Sequence, residues 1–384
     1  MVDRVYLDWN ATTPLRPEAR QAMAAAWDLL GNPSSVHAEG RQARRLVEGA
    51  REAVAEAVGA QARNVVFTAS GTEANALALT PGLRRGAGAR VERLLISAIE
   101  HASVLAGGRF PPDAIGKVRV SPAGQVDLDH LKSLVAGDEP ALVSIMAANN
   151  ETGALQPVRK AAEIIHQAGG LLHVDAVQAF AKIPFDINEI GADLATLSAH
   201  KIGGPKGVGA LVLSDGIEGV GPILRGGGQE FGRRAGTENV AGIAGFGAAV
   251  EAAVAMRDLD ADRVENLRNR LEAGLKETPE LIVFSSEAPR LPNTTLFTVP
   301  GLRAETAVIG FDLAGIAVSS GSACSSGKVQ SSHVLEAMGF PKSLAQGAVR
   351  LSLGWSTTEA EIDCCLKAWR KLADTLLRKE RNTA

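Results

Sequence analysis

Leu194-Ala195-Thr196-Leu197-Ser198-Ala199-His200-Lys201-Ile202-Gly203-Gly204-Pro205-Lys206-Gly207 runs an apolar, β-like stretch into a glycine turn, with a lysine set at the junction. A second stretch, Leu171-Leu172-His173-Val174-Asp175-Ala176-Val177-Gln178, ends its apolar run in an acid. Further short apolar runs fall at 65–68, 94–97, 118–120, 142–146 and 208–213. Amphipathic or alanine-rich helical patterns at 39–58 and 157–168 lie between them. Strands alternating with helices imply βαβ units, and so an α/β chain with a mainly parallel sheet of seven strands. In such a sheet, groups that meet a ligand collect at the carboxyl ends of the strands.

The sheet-forming part is expected to end in the Ala/Gly-rich stretch 240–255, and a separate charged helix, 256–277, to bridge to a different region. Strand candidates at 281–284, 294–299 and 349–353 and a helix at 358–378 then suggest a smaller α+β domain. The expected division is a large domain over 13–255 and a small one made of 1–12 with 256–384.

Composition removes several function classes. The chain has 384 residues, 46% of them hydrophobic, enough for a large core. A formal charge of −3 with interspersed signs offers no field for nucleic acid, and a single tyrosine argues against base stacking. No stretch reads as a membrane span of about 20 apolar residues, and the first residues do not read as a signal peptide. Three cysteines, two of them adjacent at Cys364 and Cys365, make neither a disulfide framework nor a CxxC site. The adjacent pair falls on the helix pattern 358–378, where Cys365 shares an apolar stripe with Ile362 and Trp369, and core packing is the expected role of both. A soluble, reducing, cytoplasmic setting is expected. The scattered histidines lack metal-ligand spacing, so no metal is expected. The segment from Gly321 to Lys328 is one residue too long for a P-loop, and Val329 stands where a Walker motif needs Ser or Thr.

Four strings carry chemistry. In Phe67-Thr68-Ala69-Ser70-Gly71-Thr72-Glu73-Ala74-Asn75 an apolar run stops at a small-residue turn where a helix begins. Such a start binds an anion through free N–H groups, or is an ordinary N-cap. Asp175 is placed to face a ligand, although a lone Asp there also serves as a cap. Lys201, or equally Lys206, suits a solvated loop as well as a nucleophile. His101, in Ile99-Glu100-His101, follows a strand and is on its own more often structural. Taken together they make a phosphate cup, an acid, an amine and an imidazole at one sheet edge, the set that pyridoxal phosphate demands. Far downstream, Cys324 sits in Ser319-Ser320-Gly321-Ser322-Ala323-Cys324-Ser325-Ser326-Gly327, a run of small residues unlike the apolar surroundings of a structural thiol.

The ordered set resembles the cysteine desulfurases of the aminotransferase class V family. It comprises Tyr6-Leu7-Asp8 with Ala11-Thr12-Thr13-Pro14, Gly31-Asn32-Pro33-Ser34-Ser35, Gly71-Thr72-Glu73-Ala74-Asn75, Asn149-Asn150-Glu151-Thr152-Gly153, the Asp175 and Lys201 strings, Arg234-Ala235-Gly236-Thr237 and the Cys324 run. Ser332-His333-Val334-Leu335 after that run resembles the group with the longer catalytic loop. The resemblance implies the aminotransferase-like fold (fold type I), pyridoxal 5'-phosphate as cofactor, and conversion of L-cysteine to L-alanine with a persulfide on Cys324. A selenocysteine lyase or a class V aminotransferase is the alternative on the same scaffold.

Residue by residue, the resemblance makes Lys201 the cofactor's Schiff-base lysine, Asp175 the partner of the ring nitrogen and Gln178 that of the ring hydroxyl. His101 stacks on the ring and acts as a catalytic acid/base. Gly71, Thr72, Ser198 and His200 hold the phosphate, with Thr237 from a neighbouring subunit of a homodimer. Asn150 and Arg350 bind the substrate carboxylate. The persulfide passes to a sulfur-acceptor protein, with iron–sulfur assembly, tRNA thiolation and molybdenum-cofactor synthesis as candidate destinations. Two departures stand out. Trp9-Asn10 replaces smaller or polar residues, which is expected to alter entrance contacts. The short stretch after residue 378 lacks the longer tail with which housekeeping relatives dock an iron–sulfur scaffold.

Overall fold

The computed structural model describes residues 4–137, 139–321 and 331–381. Cys324 lies outside the described residues. Seven strands form the larger sheet: β1 (Val65–Thr68), β2 (Arg93–Ser97), β3 (Ile115–Val118), β4 (Ala141–Met146), β5 (Leu171–Asp175), β6 (Leu194–Ser198) and β7 (Gly209–Leu213). Their order is β1-β7-β6-β5-β4-β2-β3. Only the β7 pairings, to β1 and β6, are antiparallel. β4 to β7 are buried along their whole length, as a sheet covered on both faces requires. The expected run 118–120 is displaced to Ile115–Val118. Gly116 and Lys117 interrupt the apolar pattern there, and the strand pairs on one side only, with β2. Val120 makes an isolated bridge to Val126 instead.

Four helices frame the site or join the two halves of the molecule: α1 (Ala38–Ala57), α2 (Gly71–Ala78), α3 (Val240–Leu275) and α4 (Glu359–Arg381). α3 corrects the expected break near residue 255, because it is one continuous helix of 36 residues. Its first half carries small residues where it meets the body of the protein. A Cβ at Gly247 would stand 2.7 Å from the Cα and Cβ of Ala50 on α1. The change from Ala/Gly to charge along the sequence therefore marks a change in what the helix packs against, not its end. Ile243, Phe246, Ala249, Val250 and Ala253 join the large-sheet core, whereas Val264, Leu267, Leu271 and Leu275 join a second core. α3 also corrects the reading that no stretch is long and apolar enough to cross a membrane. By composition it is, yet 56% of its most apolar window is buried inside the fold, as in a core helix.

The second core surrounds an antiparallel sheet of β8 (Ile282–Val283), β9 (Thr294–Thr298), β10 (Ser319–Ser320) and β11 (Val349–Ser352), ordered β8-β9-β11-β10. The N-terminus belongs here: Val5–Tyr6 pairs in parallel with Ile316–Ala317, and Asp8 bridges to Ser352. α4 begins on a capping box, with Glu361 N–H donating to Thr358 Oγ1 and Thr358 N–H to Glu361 Oε2. Cys365, Ile362 and Trp369 on α4 are fully buried, and burial pushes the Cys365 thiol up to about 12. Cys364 was expected to pack in the core with it. It is exposed, because adjacent positions on a helix point about 100° apart.

A buried ion pair fixes the loop before α3. Arg51 on α1 donates to both oxygens of Glu230, at 2.7 and 2.9 Å, and the N–H of Phe67 on β1 adds a third bond at 2.8 Å. The two side chains are 3% and 2% exposed, so neither charge has water to fall back on. Glu230 and Phe231 hold left-handed φ values of 48° and 56°, which these contacts enforce. Glu230→Ala should therefore cost about 3–5 kcal/mol, seen as a lower urea midpoint. Replacing the pair with Arg51→Met and Glu230→Leu should recover most of that loss, because no charge is then stranded. Equal losses in the single and double variants would show that the pair carries no such weight.

Candidate active site

At the carboxyl edge of the larger sheet lies a cavity of about 360 Å³. It brings together Gly71, Thr72, His101, Asn150, Asp175, Gln178, Ser198, His200, Lys201 and Arg350, every sequence-derived site residue among the described residues except Thr237. Thr237 stands exposed on the loop before α3 and is not among the residues lining the cavity.

Each lining residue is delivered by a strand end. β1 stops at Thr68, and Ser70 caps α2 by accepting from Glu73 N–H at 3.1 Å. The helix start, with Gly71 and Thr72, thereby faces the cavity. A Cβ at Gly71 would come 3.1 Å from Val177 Cγ2 and 3.3 Å from Ser198 Cβ, so glycine lets three segments close up here. Asp175 is the last residue of β5 and is buried. Its Oδ2 accepts from Asn75 Nδ2 at 2.9 Å and its Oδ1 from Val177 N–H at 3.0 Å. Each oxygen keeps accepting capacity for a ligand. β6 ends at Ser198, and a single 3₁₀ turn, Ala199–Lys201, carries His200 and Lys201 inward. Lys201 Nζ donates to the carbonyl oxygens of Asn10 and Ala11 at 2.5 and 2.9 Å.

The imidazoles around the edge are neutral. Burial, followed by the charges of Lys201 and Lys206, lowers His200 to about 4. Burial also lowers His173, beneath the site, to about 4 against the pull of Asp175. His101 caps its own short helix: Ser103 N–H can only donate, so Nδ1 accepts and the neutral ring carries its proton on Nε2. Glu100 behaves likewise. Burial and then the Asp175 charge push it up to about 8, so it is protonated at neutral pH. Its Oε1 accepts from Ser97 Oγ and Met146 N–H, while Oε2 has no hydrogen-bond partner among the described residues.

Arg350, on β11, reaches in from the second sheet. It donates to Asn150 O at 2.9 Å and to Asp8 Oδ1 at 2.7 Å, and its Nε is buried without a partner among the described residues. A guanidinium with an orphaned donor facing a cavity is suited to an incoming carboxylate. The donor set fits pyridoxal phosphate too: an amine, an acid with spare lone pairs, and N–H and hydroxyl donors at a helix start.

Sequence reasoning missed Asn10, Asn75, Ser103 and Lys182. Asn75 lies one helical turn beyond Gly71, and that spacing was a usable signal. The Trp9-Asn10 segment runs inward, and Asn10 is among the residues lining the cavity. Trp9 is buried edge-on against Trp355, with ring centroids 4.7 Å apart, and Asn10 is 1% exposed. Both side chains are pulled inward because this segment crosses between the two cores.

The model of the family described as aminotransferase class-V matches residues 5–364. The chain belongs to that family. It is 44% identical to a cysteine desulfurase of Cereibacter sphaeroides, over 98% of this chain and 97% of the relative. It is 41% identical to the cysteine desulfurase NifS of Azotobacter vinelandii, over 94% and 90%. The X-ray structure of a NifS-like protein from Rickettsia africae superposes with a TM-score of 0.88 at 38% identity, covering 97% of this chain and 99% of that one.

The state of Glu100 gives a pH test. Its folded value, about 8, lies above the ordinary 4.5, so the folded state holds the extra proton. Its contribution to stability is intact below the unfolded value and is lost as pH rises through the folded one. Glu100→Gln keeps the acceptor and removes the titration. The melting temperature of this variant should therefore gain on the unaltered protein between pH 5 and pH 8 and hold its lead above that. A difference constant across that range would contradict the assignment.

Proposed function

We propose that this chain is a pyridoxal-phosphate-dependent cysteine desulfurase, acting on L-cysteine to give L-alanine and a persulfide on Cys324. The observation that carries the proposal is the meeting of Lys201, Asp175 and Arg350 at one cavity, in a chain whose relatives are cysteine desulfurases. The cofactor, when bound, supplies an electron sink that weakens bonds at the carbons of an amino acid.

The chain's own residues do the rest. The Lys201 amine holds the cofactor and then moves protons at the substrate carbons. Asp175 keeps a proton on the ring nitrogen, and buried Asn75 holds the carboxylate in place for it. Gln178 would meet the ring hydroxyl, and His101 would lie against the ring. The α2 start, Thr72, Ser198 and His200 would hold the phosphate. Arg350 and Asn150 orient the substrate carboxylate, which sets the sulfur toward the thiol. The Cys324 thiolate attacks that sulfur, a sulfur–sulfur bond forms, and the carbon–sulfur bond breaks. The carbon left behind takes a proton, and alanine departs. The persulfide sulfur then goes to an acceptor protein.

The same proposal includes a homodimer with composite sites and a reducing, cytoplasmic setting in which the Cys324 thiol stays available. The loop ending at Thr237 supports the dimer. It is pinned at Glu230, tied to α2 by Arg234 Nε donating to Glu73 Oε1 at 3.1 Å, and flanked by exposed Leu224 and Phe231. Such a loop offers Thr237 outward, to the phosphate end of a second copy's cavity.

Cys324→Ala should still take up L-cysteine and change the visible spectrum of the loaded protein, yet form no persulfide by mass spectrometry. A persulfide that persists in this variant would remove Cys324 from its role. For the dimer, Lys201→Ala and Thr237→Ala subunits should each be impaired alone. Mixed, they should regain turnover, because one site then has both residues intact. No recovery in isolated heterodimers, or full activity in a monomer, would overturn the composite site.

A further inference from the structure

One lysine beside the site has no part in this chemistry. Lys182 follows Gln178 by four residues, and the chain between them passes through Ala181 at φ 57°. An L-residue takes up that left-handed conformation only where its surroundings hold it. A lysine ordinarily carries its ammonium out to water on its long stem. Here Nζ turns inward and donates to Gln178 Oε1 at 2.8 Å and to Asn10 Oδ1 at 3.1 Å. Asn10 in turn accepts, at its carbonyl oxygen, from Lys201 Nζ at 2.5 Å and from Gln178 Nε2 at 2.9 Å. Two amines are thus bridged by a single residue, and one of them locks the orientation of the Gln178 amide.

The charges around Lys182 do not offset its own. Burial, then Lys201 and Arg350, hold its ammonium well below the ordinary lysine range. Asp8, the carboxylate beside Arg350, is paired with that arginine. Lys182 and Lys201 also share a smaller cavity of about 60 Å³, which is lined further by Arg16, Arg257 and Asp260. Asp260 lies 4.0 Å from Arg16 and 3.6 Å from Arg263. The hydrogen-bond partners of Lys182 are neutral amide oxygens.

We infer that Lys182 is a positioning residue for Lys201: through Asn10 and Gln178 it sets the Lys201 amine and the ring-facing amide. The inference rests on the proposed cofactor chemistry, in which Lys201 must be an unprotonated nucleophile at working pH. It differs from a packing role in what it predicts. An amine removed from this pair makes protonation at Lys201 easier, whereas a permanent cation there makes it harder.

The test is the pH titration of the visible absorption band of the loaded protein, taken on the unaltered chain, Lys182→Met, Lys182→Gln and Lys182→Arg. The midpoint should move up by about one pH unit in the Met and Gln variants and down in the Arg variant. In the Met and Gln variants kcat should fall more than KM rises, because Arg350 and Asn150 are untouched. Midpoints unchanged in all three variants, with cofactor still bound, would overturn the inference and leave Lys182 a packing residue. If Met yields no folded protein, the Gln and Arg pair still decides, since they must shift in opposite directions. A visible band missing from the unaltered protein after incubation with the cofactor would instead sink the cofactor reading beneath it.

Discussion

Asn10 holds the site together. Its peptide and side chain are nearly inaccessible to water, and every polar atom it has is engaged across a long stretch of sequence. Its N–H donates to Ser352 Oγ and its Nδ2 to Thr294 Oγ1, both in the smaller sheet. Its Oδ1 accepts from Asn293 and Lys182, and its carbonyl from Lys201 and Gln178. One residue therefore ties the strand ends of the larger sheet to β9 and β11 of the smaller. A buried amide left unsatisfied costs about 1–3 kcal/mol, so these bonds resist being broken singly. Trp9 seals the same crossing. A Cβ at Gly354 would fall 1.9 Å from its ring, so only glycine lets the chain pass.

That junction explains how the site divides its labour. The groups suited to the cofactor, Asp175, Ser198, His200 and Lys201, all come from the ends of the buried strands β5 and β6 or from the turn that follows β6. Arg350 comes from the other sheet, and Asn150 meets it through its own carbonyl at 2.9 Å. The pair proposed to bind the substrate carboxylate thus spans the boundary between the two cores, while the proposed cofactor set does not. A small displacement of β11 against β5 would alter the grip on a substrate and leave the cofactor's contacts as they are. Asp8, already on Arg350, keeps the guanidinium compensated until a second carboxylate arrives at Nε.

What was legible in the sequence reflects locality. Asp175, Ser198, His200 and Lys201 each sit within a few residues of a continuous apolar run, and the strand-end rule for parallel sheets places such residues without knowledge of any distant contact. Gly71 and Thr72 were legible for the same reason, as the first residues of a helix after a strand. Asn10 and Lys182 were not. Their partners lie up to 342 residues away in sequence, and nothing local distinguishes them from a surface asparagine and a solvated lysine. The break expected near residue 255 failed differently. Composition changes there because α3 passes from one core to another, and a helix crossing a boundary looks in sequence like two helices meeting at it.

The remaining constraint is electrostatic. The edge of the larger sheet gathers Glu100, His173, His200 and Lys182 in a small volume, and burial drives every one of them toward its neutral form. Desolvation disfavours whichever state carries charge, so acids rise and bases fall together. The fold can tolerate these groups because their hydrogen bonds go to hydroxyls, amides and backbone, not to counter-ions: Ser97 and Met146 for Glu100, Ser144 and Thr196 for His173, Asn10 and Gln178 for Lys182. With Glu100, His173 and His200 neutral, the charge of Asp175 acts over short distances in a poorly screening medium. An acid so placed is worth most to a cationic ring nitrogen. A second ionised carboxylate at Glu100 would repel Asp175, and that repulsion, added to burial, keeps the proton on Glu100 at neutral pH.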